Sequence, residues 1–421
     1  MRALDRSTPP PFQLSADYTL TLPEVFSLGS GIQLFAFRGL HQEAVKLELI
    51  YNAGKWHEQK IGVSHFTSQM LAKGTDKRNS FQVAEALDSL GAHLEISPGF
   101  DVVSVALFSL RKNLLAAFRI VMELLESPAF DDAELRLMKE IFIQGLRVNN
   151  EKTSVVASKE IRKVIFGNSH PYGSSIEEND VSLIAKEDLY GFFKYRYFLQ
   201  SAFLVGRLTD EEIRDLLKII PACVPRKDEG VQAVESVAGI SHRLARPERV
   251  QASLRIGKKC PPKRDNNGYF DALMFNHLLG GFFGSRLMKN IREEKGLTYG
   301  IYSSMHHFLH DGFWVIGAEV NQQNAVSALE EIKKEINKLT QEPVPLAELE
   351  IAINYFTGSW QSENSTLFSV AEKFKNIKLW GLPDSYYTHM LEHIQHITPD
   401  QILRAGQAHF GTDGLFEIQV G

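Results

Sequence analysis

Cysteine is nearly absent from this chain of 421 residues: there are two, Cys223 and Cys260. That is too few for a disulfide framework or a four-thiolate zinc site. They read as two separate buried thiols. Long apolar runs are missing as well. No stretch approaches the ~20 apolar residues that a membrane helix needs. The opening MRALDRSTPPPFQLSADYTL has no apolar core of the kind a signal peptide or anchor carries. A cytoplasmic protein with no membrane partner is expected. Charge of one sign is lacking too: 46 Lys and Arg are mixed with 51 Asp and Glu, for a net charge of -5. This excludes the basic face that nucleic-acid binding requires. The segment TPPPF cannot be helical, because each proline removes a donor and restricts its neighbour. It reads as an extended arm lying on the body.

What is present is the balance of a soluble globular protein, 44% apolar and 23% charged. The length exceeds what one ordinary core supports, so two or more domains are expected. Periodicity predicts strands over residues 32–38 and 45–53, then a helix over 64–72. A second helix is predicted over 81–90, with Phe81, Ala84, Leu87 and Leu90 on its buried face and Gly91 ending it. The alternating strand DVVSVALFSL follows. A long amphipathic helix then runs through Leu114, Phe118, Val121, Met122 and Leu125 to a stop at Pro128. The next run, FDDAELRLMKEIFIQG, opens with acidic residues that suit a helix N-terminus.

The second half repeats this order. VQASLRIGK answers VKLELIYNAG, NAVSALEEIKKEINKL answers NLLAAFRIVMELLE, and PLAELEIAINYF answers DDAELRLMKEIF, at offsets of about 205 to 214 residues. Leu329, Ile332, Ile336 and Leu339 share a face of the second long helix. Each half ends in a strand-like segment with glycine, SAFLVGRL and GLFEIQVG. The fold class expected is α+β: two homologous α/β sandwich-like domains produced by internal duplication. Residues 1–220 form the first, a polar Pro/Gly-containing linker spans 221–245, and residues 246–421 form the second.

One stretch, GVSHFTSQML, stands where a helix begins after a strand and carries His65 followed by Ser68 and Gln69. A zinc hydrolase needs three protein ligands, a metal-bound water and a nearby carboxylate to move its proton. Residues four apart on a helix share a face, so two histidines at that spacing can hold one ion.

Three blocks in order, GVSHFTSQMLAKGT, HPYG at residues 170–173 and FFGSRLMKNIREEKGLTYG, resemble the pitrilysin/insulinase-type zinc metallopeptidases, and the duplication does too. The resemblance implies a metallopeptidase (LuxS/processing-peptidase-like) fold. It also implies a His-x-x-Glu-His zinc motif with a third ligand, a glutamate, roughly seventy-five residues further on. Here His65 stands at the first ligand position, Ser68 at the catalytic glutamate, Gln69 at the second histidine and Gly145 at the third ligand. One ligand of three remains, and the proton carrier is gone. A serine hydroxyl is too weak a base without its own activation, and a glutamine amide is a poor zinc ligand beside imidazole. No metal or other cofactor is expected in this chain.

In the second half the resemblance implies that Arg292 and Tyr299, seven residues apart in IREEKGLTYG, reach a bound peptide across a central chamber. A guanidinium fork and a phenol can hold carbonyl oxygens and stabilise an oxyanion. Gly296 between them fits a helix ending before a strand. On the residues alone, Arg292 could equally pair with Glu293 or Glu294 at the surface, and Tyr299 could be strand core. The resemblance further implies substrate adding as a strand beside GAHLEIS, where His93 and Glu95 either face the chamber or are solvated. HLLGGFFGS has glycines without the lysine of a phosphate loop. His306, His307 and His310 have no matching carboxylates.

The family's two-subunit members pair a zinc-bearing chain with a zinc-free homologue that supplies the arginine and tyrosine. The expectation is a noncatalytic subunit of that kind, inactive alone, with zinc in a homologous partner and peptide or unfolded polypeptide as substrate. A structural paralogue and a free-standing peptide-binding module, as a homodimer, stay open as alternatives. Catalysis by Ser68 with His65 lacks an orienting acid.

Overall fold

The computed structural model describes residues 20–28, 31–39, 43–220, 241–246, 248–259, 264 and 267–421. Cys223, Cys260, the TPPPF arm and most of the expected linker lie outside the described residues. The first half contributes β1 (Glu24–Ser27), β2 (Gln33–Phe37), β3 (Ala44–Tyr51), α1 (Val63–Leu71), α2 (Ser80–Ser89), β4 (His93–Pro98) and β5 (Val103–Leu110). It continues with α3 (Leu114–Glu126), α4 (Asp132–Asn150), α5 (Thr153–Phe166), α6 (Glu178–Leu183), α7 (Lys186–Arg196), β6 (Leu199–Val205) and α8 (Asp210–Ile219). Its sheet has the order β1-β2-β6-β3-β5-β4, antiparallel except for the β2–β6 pair.

The second half contributes β7 (His242–Leu244), β8 (Gln251–Lys259), α9 (Asn267–Asn276), β9 (Thr298–His307) and β10 (Gly312–Asn321). Then come α10 (Ala325–Gln341), α11 (Leu346–Glu363), α12 (Leu367–Leu379), α13 (Tyr386–Gln395), α14 (Pro399–His409) and β11 (Phe416–Val420). Its sheet has the order β7-β11-β8-β10-β9. The architecture is a mixed α+β fold with two sheets, as the duplicated sequence leads one to expect. β4 and β9 occupy corresponding edges, each paired on one side only.

Periodicity places most elements within two residues. It misplaces the buried face of α2: Phe81 is 72% exposed and Ala84 is exposed, while Val83 and Leu87 are buried. The helix is rotated relative to the expected stripe. Its start is fixed by the Asn79–Gln82 capping box, and Val83 rather than Phe81 faces the core. Gly62 caps α1 with φ 91, and a Cβ there would also press on Ile184 and Ile176. Two π-helical turns, His277–Gly281 and Met288–Glu294, lie between α9 and β9. At the first of them a Cβ on Gly280 would come within 2.7 Å of the Ser303 nitrogen, so the HLLGGFFGS glycines serve close packing.

The two halves exchange helices. α5 belongs to the first half by sequence, yet Ala157, Ile161, Ile165 and Phe166 pack with Phe313, Val315, Ile418 and Val420 of the second sheet. Ser253 Oγ lies at hydrogen-bond distance, 2.8 Å, from Thr153 Oγ1 and Arg255 Nε donates to Ser158 Oγ at 3.1 Å, tying β8 to the same helix. Reciprocally, α12 of the second half lays Val370, Phe374 and Ile377 on Phe35, Phe37, Phe203 and Val205 of the first sheet. Lys375 of α12 reaches the buried Glu48 of β3 at 2.7 Å. Glu48 keeps its charge despite burial, because Lys375 and Lys46 hold its carboxyl down to about 2 against the upward push of desolvation.

A second junction is built from HPYG. Tyr172 is fully buried, and its hydroxyl donates to Asp101 Oδ1 and accepts from the His310 backbone N–H. Asp101 Oδ2 accepts from the Leu309 N–H at 3.1 Å. Tyr172 stacks on Phe308 at 4.1 Å and Trp56 on His310 at 4.0 Å. The turn after β4 and the turn after β9 are thereby held together.

Candidate functional site

α1 carries the residues of the degenerate motif, and its neighbours show what each now does. Ser68 is completely buried. Its hydroxyl donates to the Ser64 carbonyl at 2.7 Å and lies 2.6 Å from the Tyr197 hydroxyl. Since the serine proton is used on Ser64, Tyr197 donates to Ser68. Burial pushes the Tyr197 phenol well above its ordinary pKa, so that proton stays in place. Gln69 donates from Nε2 to the Ile96 carbonyl at 3.1 Å and so binds α1 to β4. Gly145 of α4 faces open space where a Cβ would point. α4 nonetheless passes beside His65, because the Phe142 and His65 rings lie 4.9 Å apart. Burial lowers the His65 pKa from its ordinary value.

Zinc does not fit this arrangement. Of the positions that the resemblance assigns to the motif, Gln69 is an amide committed to a backbone carbonyl, Gly145 has no side chain, and Ser68 is a satisfied core hydroxyl. No group of three His, Cys, Asp or Glu side chains is assembled for a metal among the described residues. The pairing of Ser68 with His65 is also excluded as a nucleophile and base: the serine points into the core and its donor is occupied.

Beside His65 opens a pocket of about 170 Å³, lined by Lys55, Glu58, Ser64, Pro98, Phe100 and others. Sequence reading passed over Glu58. Its position four residues before Gly62 was the available signal, since carboxylates favour helix N-termini. Its Oε2 accepts from the backbone N–H groups of Gly62 (3.1 Å) and Ser64 (3.3 Å), while Oε1 is buried without a partner. Burial pushes the Glu58 carboxyl up to about 7, with Lys55 and the two N–H groups opposing. Burial pulls Lys55 down to about 8, with Glu58 opposing, and Lys55 Nζ donates to the Ser174 carbonyl.

In the second half, Arg292 lies in the last turn of the π-helical segment Met288–Glu294 and Tyr299 is the second residue of β9. Gly296 between them has φ 61, the left-handed conformation that favours glycine at a helix end. Tyr299 is 95% exposed, so it is not strand core. Arg292 forms no ion pair among the described residues; its guanidinium lies 4.6 Å from the centre of the half-exposed Phe283 ring. His93 and Glu95 are exposed on the edge strand β4, with Ser97 donating to Glu95 at 2.8 Å. The three histidines do not converge. His306 stacks on Phe313, His307 packs against Tyr269, and His310 covers Trp56.

Two mixed sheets stand in tandem, and α1, which carries His65, Ser68 and Gln69, packs on the first. A family model described as insulinase (peptidase family M16) matches residues 38–179, and one described as the peptidase M16 inactive domain matches residues 184–356. Together these span well over half of the chain, which belongs to the insulinase-type peptidase family M16. Among curated relatives, an uncharacterized zinc protease YmxG of Bacillus subtilis (strain 168) is 23% identical over 367 residues, 85% of this chain and 88% of that one. A non-peptidase homolog YmxG of Helicobacter pylori (strain ATCC 700392 / 26695) is 22% identical over 358 residues, 84% of this chain and 82% of that one. A crystal structure of a peptidase M16 inactive domain from Pseudomonas fluorescens superposes with TM-score 0.85 at 22% identity, covering 95% of this chain and 98% of that one.

Proposed function

We propose that this chain is the noncatalytic subunit of a heteromeric zinc metallopeptidase. It supplies Arg292 and Tyr299 to a peptide held in the chamber formed with a homologous zinc-bearing partner. The observation that carries this reading is the state of the pair. A tyrosine that is 95% exposed at the start of a free edge strand stands seven residues from an arginine without an ion pair among the described residues. Large exposed aromatic surface marks interaction sites. A guanidinium free of carboxylates keeps its fork for carbonyl oxygens or an oxyanion. A further support is the exposure of equivalent apolar positions on α4 and α11, Leu137 and Ile141 in one and Ile351 and Tyr355 in the other. Each pair is spaced four apart on one helix face.

The test is a pull-down of the chain from its own cells followed by metal analysis, then reconstitution. A companion of similar size bearing stoichiometric zinc is expected, and the chain alone is expected to be inert toward peptides. In the reconstituted pair, Arg292→Ala lowers peptide cleavage by on the order of a hundredfold with assembly unchanged. Unchanged cleavage would remove the role given to Arg292. A pull-down without any zinc-bearing companion, together with stable self-association, would leave a peptide-binding or structural paralogue instead.

A further inference from the structure

A cavity of about 220 Å³ opens where α5 crosses the second sheet. Its lining includes the aromatic rings of Phe100, Phe308 and Phe313 and, on the polar side, Arg162, Tyr302 and His306. Arg255 also reaches it but is neutralised by Glu319 at 2.9 Å. Arg162 is in a different state. Nη1 donates to the Ser158 carbonyl at 2.9 Å, but Nε is buried with no partner, and no carboxylate among the described residues pairs with the guanidinium. Its guanidinium carbon lies over the Phe100 ring, 5.9 Å from the centroid. Burial lowers the Arg162 pKa from its ordinary value, and the Arg162 charge adds to the desolvation that lowers His306. A desolvated cation with an idle donor is costly unless an anion completes it.

The location adds a second constraint. Phe100 follows β4 by two residues, and Tyr302 and His306 lie on β9. The cavity therefore lies under α5 on the face of the second sheet, close to the end of β4 and to the C-terminal half of β9.

We propose that this cavity binds a carboxylate attached to an apolar group, as at the C-terminal residue of a peptide. The Arg162 fork takes the carboxylate and the aromatic floor takes the side chain. That the bearer is a peptide rests on the role proposed above; the carboxylate site itself does not.

Ligand-observed NMR titration of the full chain with 3-phenylpropionate and 3-phenylpropanamide tests the site. The acid binds about tenfold or more tightly than the amide, and the preference disappears in Arg162→Met. Arg162→Gln, which keeps a donor for Ser158, gives the same loss if the methionine variant does not fold. Equal binding of acid and amide, or an acid preference that survives both substitutions, overturns the site. Blocked pentapeptides then separate the sources. Preference for a free C-terminus over an amide assigns the carboxylate to the chain end, and preference for an aspartate-containing amide assigns it to a side chain. Binding of 3-phenylpropionate with no binding of any peptide upholds the site and removes the peptide-handling reading.

Discussion

Ser68 Oγ and Tyr197 Oη lie 2.6 Å apart in the core, each buried, with the tyrosine donating and the serine passing its own proton to Ser64. The position that the resemblance assigns to the catalytic base is part of the packing between α1 and the end of α7. Ser68→Glu therefore does not recover a base. It buries a carboxylate against a phenol, and the variant loses on the order of 2–4 kcal/mol at neutral pH, read by urea unfolding. Tyr197→Phe, which removes the donor but keeps the ring, costs about 1 kcal/mol.

Gln69 and Gly145, which the resemblance assigns to the second and third ligands, behave differently. Gly145 has open space for a side chain and α4 runs beside His65. Gln69→His with Gly145→Glu gives three donors to one ion, and the double variant retains zinc through dialysis at about one equivalent by atomic absorption, where the unaltered chain retains none. It remains without peptidase activity, since no carboxylate stands at position 68 to move the proton.

Glu58 and Lys55 give stability a dip with pH. The folded chain holds the Glu58 proton up to about 7, against an ordinary value of 4.5, so between those values the unfolded state has lost a proton the folded state keeps. Stability falls as pH rises through that window. Lys55 is lowered from 10.5 to about 8. There the folded state releases its proton first, and stability rises from pH 8 to 10.5. The expected outcome is a trough near pH 7–8. In Glu58→Gln the acid limb is flatter by on the order of 1–2 kcal/mol, followed as the urea midpoint across the range.

Helix exchange makes the two halves depend on each other. Expressed alone, residues 1–240 expose Phe35, Phe37 and Phe203, which α12 otherwise covers, and residues 241–421 lose the α5 face on Phe313 and Ile418. Each fragment is expected to bind a hydrophobic dye or aggregate. Co-expression restores a soluble, cooperatively melting complex. A folded, dye-silent isolated half would contradict this.

Much of the fold was legible because its signals are local. The spacing of Leu114, Phe118 and Val121 announces α3, and the glutamine at 69 and glycine at 145 reveal the lost donors without coordinates. What stayed hidden depends on which surfaces meet. That α5 and α12 each pack on the other half's sheet is not written in the periodicity of either segment. Phe81 reads as core because it is apolar, whereas α2 turns Val83 and Leu87 inward and leaves Phe81 in the first turn exposed. The proton affinity of Glu58 and the unpaired state of Arg162 arise from burial by distant segments, so the residues themselves gave no warning. Tyr299 was ambiguous until its exposure on β9 was seen.

The outer faces of β4 and β9 carry a hazard of their own, since unpaired backbone invites stacking of one copy on the next. β4 is short, ends at Pro98, and turns His93, Glu95 and Ser97 toward solvent. Such polar gatekeeping discourages fibrillar growth along β4 while leaving its outer backbone groups unpaired.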